Sequence, residues 1–403
     1  MKKSLLILVV VVLIALCGFA KTQIRVAGWG NPTEEAALQE MMAVFNASQD
    51  EIEAVWEPIP DFTKQLKTLL SAGTAPDIFF MDVAWLPEFA GNNALMPLDL
   101  YVKKEGYDLD AFYAPLIEAF RYNGRLYGLP KDFSTLSLYY NKEIFDKYNV
   151  EYPEGLMSWE KFLDICQQFK ANGFETPLTT AADFNRVIPF IMANGGRLVT
   201  EDLNTGLTEP AAKEAIEFYC DLVSKYRISE EPLNLGADWI GDAFGKEKVA
   251  MAMTGPWTLG FVKEQYPNVV DKMGIVEMPM QKEKATMIYT VSWSINRNSK
   301  NRDAAWEVVK FLSDEGQQIF VDRTGVLASR KSIAAKDTDP LKKSFYDGAE
   351  YGTPWNVPTP SGIFTEANDQ INSRLKDLFY GKTTYEKVFE EIDAEYMGWV
   401  TAE

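Results

Sequence analysis

Ten tryptophans and 58 carboxylate side chains, with no histidine at all, define the chemistry open to this 403-residue chain. Without histidine there is no Ser–His–Asp triad, no imidazole base and no His-rich zinc site. Carboxylates remain. In pairs they cleave glycosidic bonds, and singly they accept hydrogen bonds from hydroxyls. Six tryptophans fall at strand ends or in loops: Trp29, Trp85, Trp239, Trp257, Trp293 and Trp355. An aromatic face packs on the apolar C–H face of a sugar ring while carboxylates and amides take its hydroxyls, so a sugar site needs both in one cleft. Trp159 and Trp306, inside helical patterns, read as core residues instead.

Other motifs are weak. Gly28-Trp29-Gly30 follows a strand pattern, but Thr33 stands where a dinucleotide fingerprint needs its third glycine. Asp202, Asn204 and Gly206 put glycine at a ligand position of a calcium loop, and Gly381-Lys382-Thr383 lacks the upstream glycine of a phosphate loop. No Cys-x-x-Cys pair exists. The formal net charge of -18 repels phosphate backbones and anionic lipid, which argues against nucleic acid as a partner.

The elements that must position these residues alternate. Ile24–Ala27 reads as a strand, and Asn31-Pro32-Thr33-Glu34 supplies an N-cap, a first-turn proline and a capping-box carboxylate. Leu38, Met41, Met42 and Phe45 are the apolar face of the helix that follows. A strand at Glu51–Trp56, a helix capped by Asp61 and ended by Gly73, and a buried strand at Asp77–Met81 complete a doubly wound start. A second α/β stretch begins near Ser137–Tyr140, with helices at 158–170 and 209–226 and a strand at Lys248–Met253. A run at Tyr289–Ile295 leads into a helix with Ala305, Val308, Val309 and Leu312 on one face, and helical patterns dominate from about 363 to the end. No flexible linker divides them, which suggests lobes joined by several crossings of the chain.

Met1-Lys2-Lys3, the apolar run Leu5–Leu16 and the small residues Gly18 and Ala20 have the layout of a cleavable signal peptide over residues 1–20. The run is shorter than the ~20 residues that span a bilayer. Cys17 suggests a lipid anchor, but Leu16 before it is bulkier than lipoprotein signals carry. Cleavage leaves Cys166 and Cys220, each on the apolar stripe of a helix, where a free thiol behaves as a small hydrophobe.

Several segments together resemble the extracellular solute-binding proteins of sugar ABC importers, the group that includes maltose-binding protein. They are Ser71-Ala72-Gly73-Thr74-Ala75-Pro76-Asp77-Ile78, then Tyr122 to Pro130, then Leu138-Tyr139-Tyr140-Asn141-Lys142-Glu143-Ile144-Phe145. Ala193-Asn194-Gly195-Gly196, Phe244 to Met251, Gly255-Pro256-Trp257 and Ala304 to Leu312 follow in order, before Gly325. The resemblance covers nearly the whole mature chain. It implies an α/β, two-lobed periplasmic-binding-protein-like fold (type II), with the ligand cleft between lobes joined by hinge strands near 132–136 and 288–294. The expected lobes are 21–133 plus 292–332, and 134–291 plus 333–403.

Trp257 matches the stacking Trp of that family. Ser134 falls where maltose-binding protein has an acidic sugar ligand, with Lys131 and Asp132 as substitutes, and Met81 where it has a cleft Trp, with Asp82 and Trp85 nearby. Maltose itself is therefore in doubt while the class stands. The expected ligand-binding set is Trp29, Asn31, Asp82, Trp85, Lys131, Asp132, Asn185, Trp239, Trp257, Trp293 and Trp355, with no catalytic residue, metal or cofactor. The resemblance implies a monomeric, non-enzymatic receptor, periplasmic or extracellular, that binds a carbohydrate and delivers it to ABC membrane permeases. Two rivals stay open: a secreted glycoside hydrolase using Asp82 and Asp132, and a binding protein for a non-sugar solute such as a polyamine, since aromatic boxes also hold cations.

Overall fold

The computed structural model describes residues 21–354, 357, 359 and 364–401. The signal-peptide segment, Cys17 and Trp355 lie outside the described residues. The chain opens with β1 (Thr22–Gly28), α1 (Pro32–Ser48), β2 (Ile52–Pro58), α2 (Phe62–Ser71) and β3 (Ile78–Asp82). It leaves through β4 (Gly128–Ser134) into β5 (Ser137–Asn141), then α3 (Trp159–Ala171), β6 (Leu178–Thr179), α4 (Phe184–Ala193), α5 (Pro210–Ser224) and β7 (Ser229–Glu230). Next come β8 (Met251–Thr254), α6 (Trp257–Gln265) and β9 (Met273–Glu277). The chain returns along β10 (Met287–Ile295) to α7 (Arg302–Ser313) and α8 (Glu315–Thr324), and after β11 (Thr353–Pro354) ends with α9 (Thr365–Phe379) and α10 (Tyr385–Val400).

Two mixed sheets result. The first has the order β11-β10-β3-β1-β2, with β4 also paired to β10, and the second β9-β5-β8-β6-β7. β1 runs parallel to β2 and β3, whereas β10 is antiparallel to both β3 and β4. The central strand β3 is a continuous buried run, as strands covered on both faces are: Ile78, Phe79, Phe80 and Met81 are all buried.

Local chemistry explains the elements. Asn31 accepts from the N–H groups of Thr33 and Glu34, and Glu34 returns a carboxylate to the Asn31 N–H, closing the expected capping box. Ser158 caps α3 through the Lys161 N–H. Asp61 does not cap α2: its backbone is left-handed, at φ 43, and its side chain makes no cap bond. The strand expected at 248–253 is shorter: a turn at Lys246–Glu247 follows the preceding helix, and β8 begins only at Met251. Cys166 and Cys220 are buried free thiols, and Trp159 and Trp306 are core residues.

The crossings between the sheets are bonded to each other. The Leu136 N–H donates to Thr286 Oγ1, and that hydroxyl donates back to the Leu136 carbonyl, both at 3.0 Å. Thr290 Oγ1 donates to the Asp132 carbonyl at 2.8 Å. Phe133 and Leu327 exchange backbone bonds of 3.0 and 3.1 Å, which brings a third segment to the same place. Among the described residues no helix is long and apolar enough to cross a membrane.

Candidate functional site

A cavity of about 810 Å³ lies where the two sheets face each other. Its register explains its carboxylates. Val291 of β10 pairs on one side with Asp82 at the end of β3 and on the other with Asp132 of β4. Residues directly opposite share a face, so all three point into the cavity, with the aspartates' backbones two strand spacings, about 10 Å, apart. On β4 the register jumps from Asp132↔Val291 to Pro130↔Ser292, leaving Lys131 as the extra residue of a bulge. A bulge re-aims a side chain, and here Lys131 and Asp132 both line the cavity as an ion pair. The Lys131 ammonium also sits 3.8 Å from the centre of the Phe320 ring.

The first-sheet wall is aromatic. Trp29, at the end of β1, meets Phe62 at 4.9 Å, Phe80 at 5.1 Å and Trp85 at 5.4 Å between ring centroids. Asn31, beside Trp29, and Glu34 complete that wall. From the other side come Trp257, the first residue of α6, and Trp239, packed edge-on to Phe261 at 4.9 Å. Gly255 lets Trp257 fold back: a Cβ there would lie 2.2 Å from the indole. Asn185 and Arg186 open α4, and Arg186 lies 5.5 Å from the Trp257 ring and 5.7 Å from Tyr289. Tyr289 Oη donates to the Asn185 carbonyl at 2.7 Å, tying β10 to α4.

The electrostatics follow from burial. Asp82 has its carboxyl pushed up to about 7, chiefly by desolvation and further by Asp132, against one stabilising bond from the Ala84 N–H at 2.9 Å. Glu34 is also raised, again by burial, although Lys131 and the Asn31 N–H oppose it. A carboxyl that protonates near neutrality, as Asp82 does, can donate a hydrogen bond as well as accept one. The site thus offers aromatic faces on opposite walls with polar groups of both senses between them.

The structure brings Trp29, Asn31, Asp82, Trp85, Lys131, Asp132, Asn185, Trp239 and Trp257 around this one cavity. Trp293 is not among them. It is fully buried against Phe80 at 5.0 Å. The reason is strand direction: ligand clefts lie beyond the carboxyl ends of parallel strands, but β10 is antiparallel, so its early residues Tyr289 and Val291 reach the cavity and Trp293 sits deeper under the sheet. Glu34, Asp183, Arg186, Tyr289 and Asn368 line the cavity and were not anticipated; the Glu34 signal was present in the capping box, which places it at the cleft end of α1.

The family profile of bacterial extracellular solute-binding proteins matches residues 29–319. This chain belongs to that family. The maltotriose-binding protein of Pyrococcus abyssi is 27% identical to it over 315 residues, 75% of this chain and 64% of the relative. The lactose-binding protein of Rhizobium radiobacter is 26% identical over 372 residues, 84% and 83% of the two chains. Among solved structures, an ABC substrate-binding protein from Listeria monocytogenes, in complex with cycloalternan, superposes with a TM-score of 0.84 at 23% identity, covering 94% of this chain and 100% of that one. The solute-binding protein therefore has the two-lobed, type II fold expected from its sequence.

Proposed function

We propose that this solute-binding protein is an extracytoplasmic receptor for a sugar or oligosaccharide, closing on it and delivering it to the permease of an ABC importer. The observation that carries the reading is the cavity itself, with Trp29 and Trp85 on one wall, Trp257 and Trp239 on the other, and Asp82 and Asp132 between. Relatives named for maltotriose and lactose support the ligand class. The lobes we propose are 21–133 plus 292–332, and 134–291 plus 333–403, hinged at the crossings near 132–136 and 288–294. Sugar contacts to both walls exist only when the lobes meet, so binding shifts the population toward closure. The protein works as a monomer, exported by cleavage of residues 1–20 to the periplasm or exterior, without a nucleic-acid partner.

One observation favours hydrolysis as a second reading: Asp82 is raised to about 7, which suits a general acid, and a second carboxyl group, Asp132, lines the same cavity. The receptor reading is preferred because Asp132 is held by Lys131. Thermal-shift titration with maltotriose, lactose and galacto-oligosaccharides tests binding, since a ligand that binds the native state raises the midpoint by mass action. Chromatography of the same mixtures separates the readings: intact sugar in full yield supports the receptor, and shortened products support the hydrolase.

A further inference from the structure

Arg186 enters the cavity from the first turn of α4 and is mostly buried, yet its Nε and Nη1 have no hydrogen-bond partner. Asp183 Oδ2 stands 4.0 Å from Nε, close enough to balance charge but beyond hydrogen-bond reach. A guanidinium stays charged, so buried donors left without acceptors are costly. Two acceptors on the cavity lining are in the same condition: Asn185 Oδ1 and Asn368 Oδ1. The Asn185 orientation is fixed by chemistry. Its Nδ2 donates at 3.0 Å to Asp183 Oδ1, which can only accept, so its oxygen must face the other way.

The three residues that carry these unmatched donors and acceptors line one cavity, Arg186 beside the ring of Trp257. Building on the sugar-receptor reading, we infer that Arg186, Asn185 and Asn368 form a specificity wall that reads hydroxyl groups of an uncharged sugar unit stacked on Trp257. A hydroxyl accepts from Arg186 and donates to an amide oxygen, so it satisfies both halves of the wall. A carboxylate placed there only accepts. It leaves the amide oxygens unpaired and meets the charge of Asp183, so the arginine does not make this an acidic-sugar site.

The test begins with calorimetric titration of maltotriose, lactose, galactobiose and mannobiose. The tightest binder is carried forward together with its counterpart bearing a terminal uronic acid. Arg186→Met weakens the neutral sugar about ten- to hundredfold, the loss of one or two charged hydrogen bonds. Arg186→Lys recovers only part, because an ammonium lacks the planar donor array. The uronate binds the wild type at least about tenfold more weakly than the neutral sugar, and Asp183→Asn narrows that gap. Melting curves confirm that each variant is folded. A uronate that binds the wild type as tightly as the neutral sugar, and loses that affinity in Arg186→Met, makes the wall an anion clamp and overturns the inference. Undiminished binding of the neutral sugar by folded Arg186→Met also overturns it while the receptor reading stands. If none of the four sugars binds the wild type, both readings fall together.

Discussion

Trp257→Ala removes the aromatic face that the second lobe presents to the cavity, and its effect can be sized from the structure. The indole is half-buried in the free protein, seated edge-on to Tyr289 at 6.0 Å and under Arg186 at 5.5 Å. In the proposed receptor a sugar ring covers the remaining face. Burying on the order of 80–100 Å² of apolar surface at about 25 cal/mol per Å² gives roughly 2 kcal/mol. Losing the anchor also leaves Arg186 without the ring beside it, which raises the expected cost to about 2–4 kcal/mol, within the range of central aromatic anchors. The dissociation constant should then rise about thirtyfold to several hundredfold. Isothermal titration of the wild type and variant with the same sugar reads this directly. Unchanged affinity in a variant that melts normally would remove Trp257 from the site and refute the stacking argument.

Three further outcomes are expected. Trp293→Ala should cost about 3–5 kcal/mol of stability in denaturant titration, as large-to-small core changes do, and leave the affinity of the remaining folded protein unaltered; a selective loss of affinity would return Trp293 to the cleft. Asp82 binds its proton more tightly folded than unfolded, so its contribution to stability is fully present below the ordinary carboxyl range and is lost as pH rises through about 7. Asp82→Asn should therefore gain up to about 4 kcal/mol over the wild type at pH 8 and nothing at pH 3; an equal difference at both would show that the carboxyl titrates normally. Mass spectrometry of the exported protein should give a chain beginning at Lys21 with both cysteines free, whereas a diacylglyceryl mass on Cys17 would establish a lipid anchor.

Patterns confined to neighbouring residues were legible in the sequence. The Asn31–Glu34 capping box, the buried run of β3 and the apolar stripes of α3 and α5 follow from propensity and period alone, and the structure has each of them. The carboxylate pair was legible as residue types but not as geometry. It depends on β10 entering between β3 and β4, a pairing across more than 150 residues. The misplacement of Trp293 has the same origin, because alternation gives a strand's faces but not its direction. Arg186 carried no local signal: an arginine in a helix's first turn ordinarily points to solvent, and only the packing of α4 against Tyr289 and Trp257 turns it inward.

In the proposed receptor a sugar bridges the two lobes inside the cavity. A crystal structure at saturating concentration of the tightest-binding sugar tests it most directly. One sugar ring should lie against Trp257, with polar contacts from Asp82 or Asp132 on one side and Arg186 on the other. A sugar held by one lobe alone, or bound outside the cavity, would contradict it.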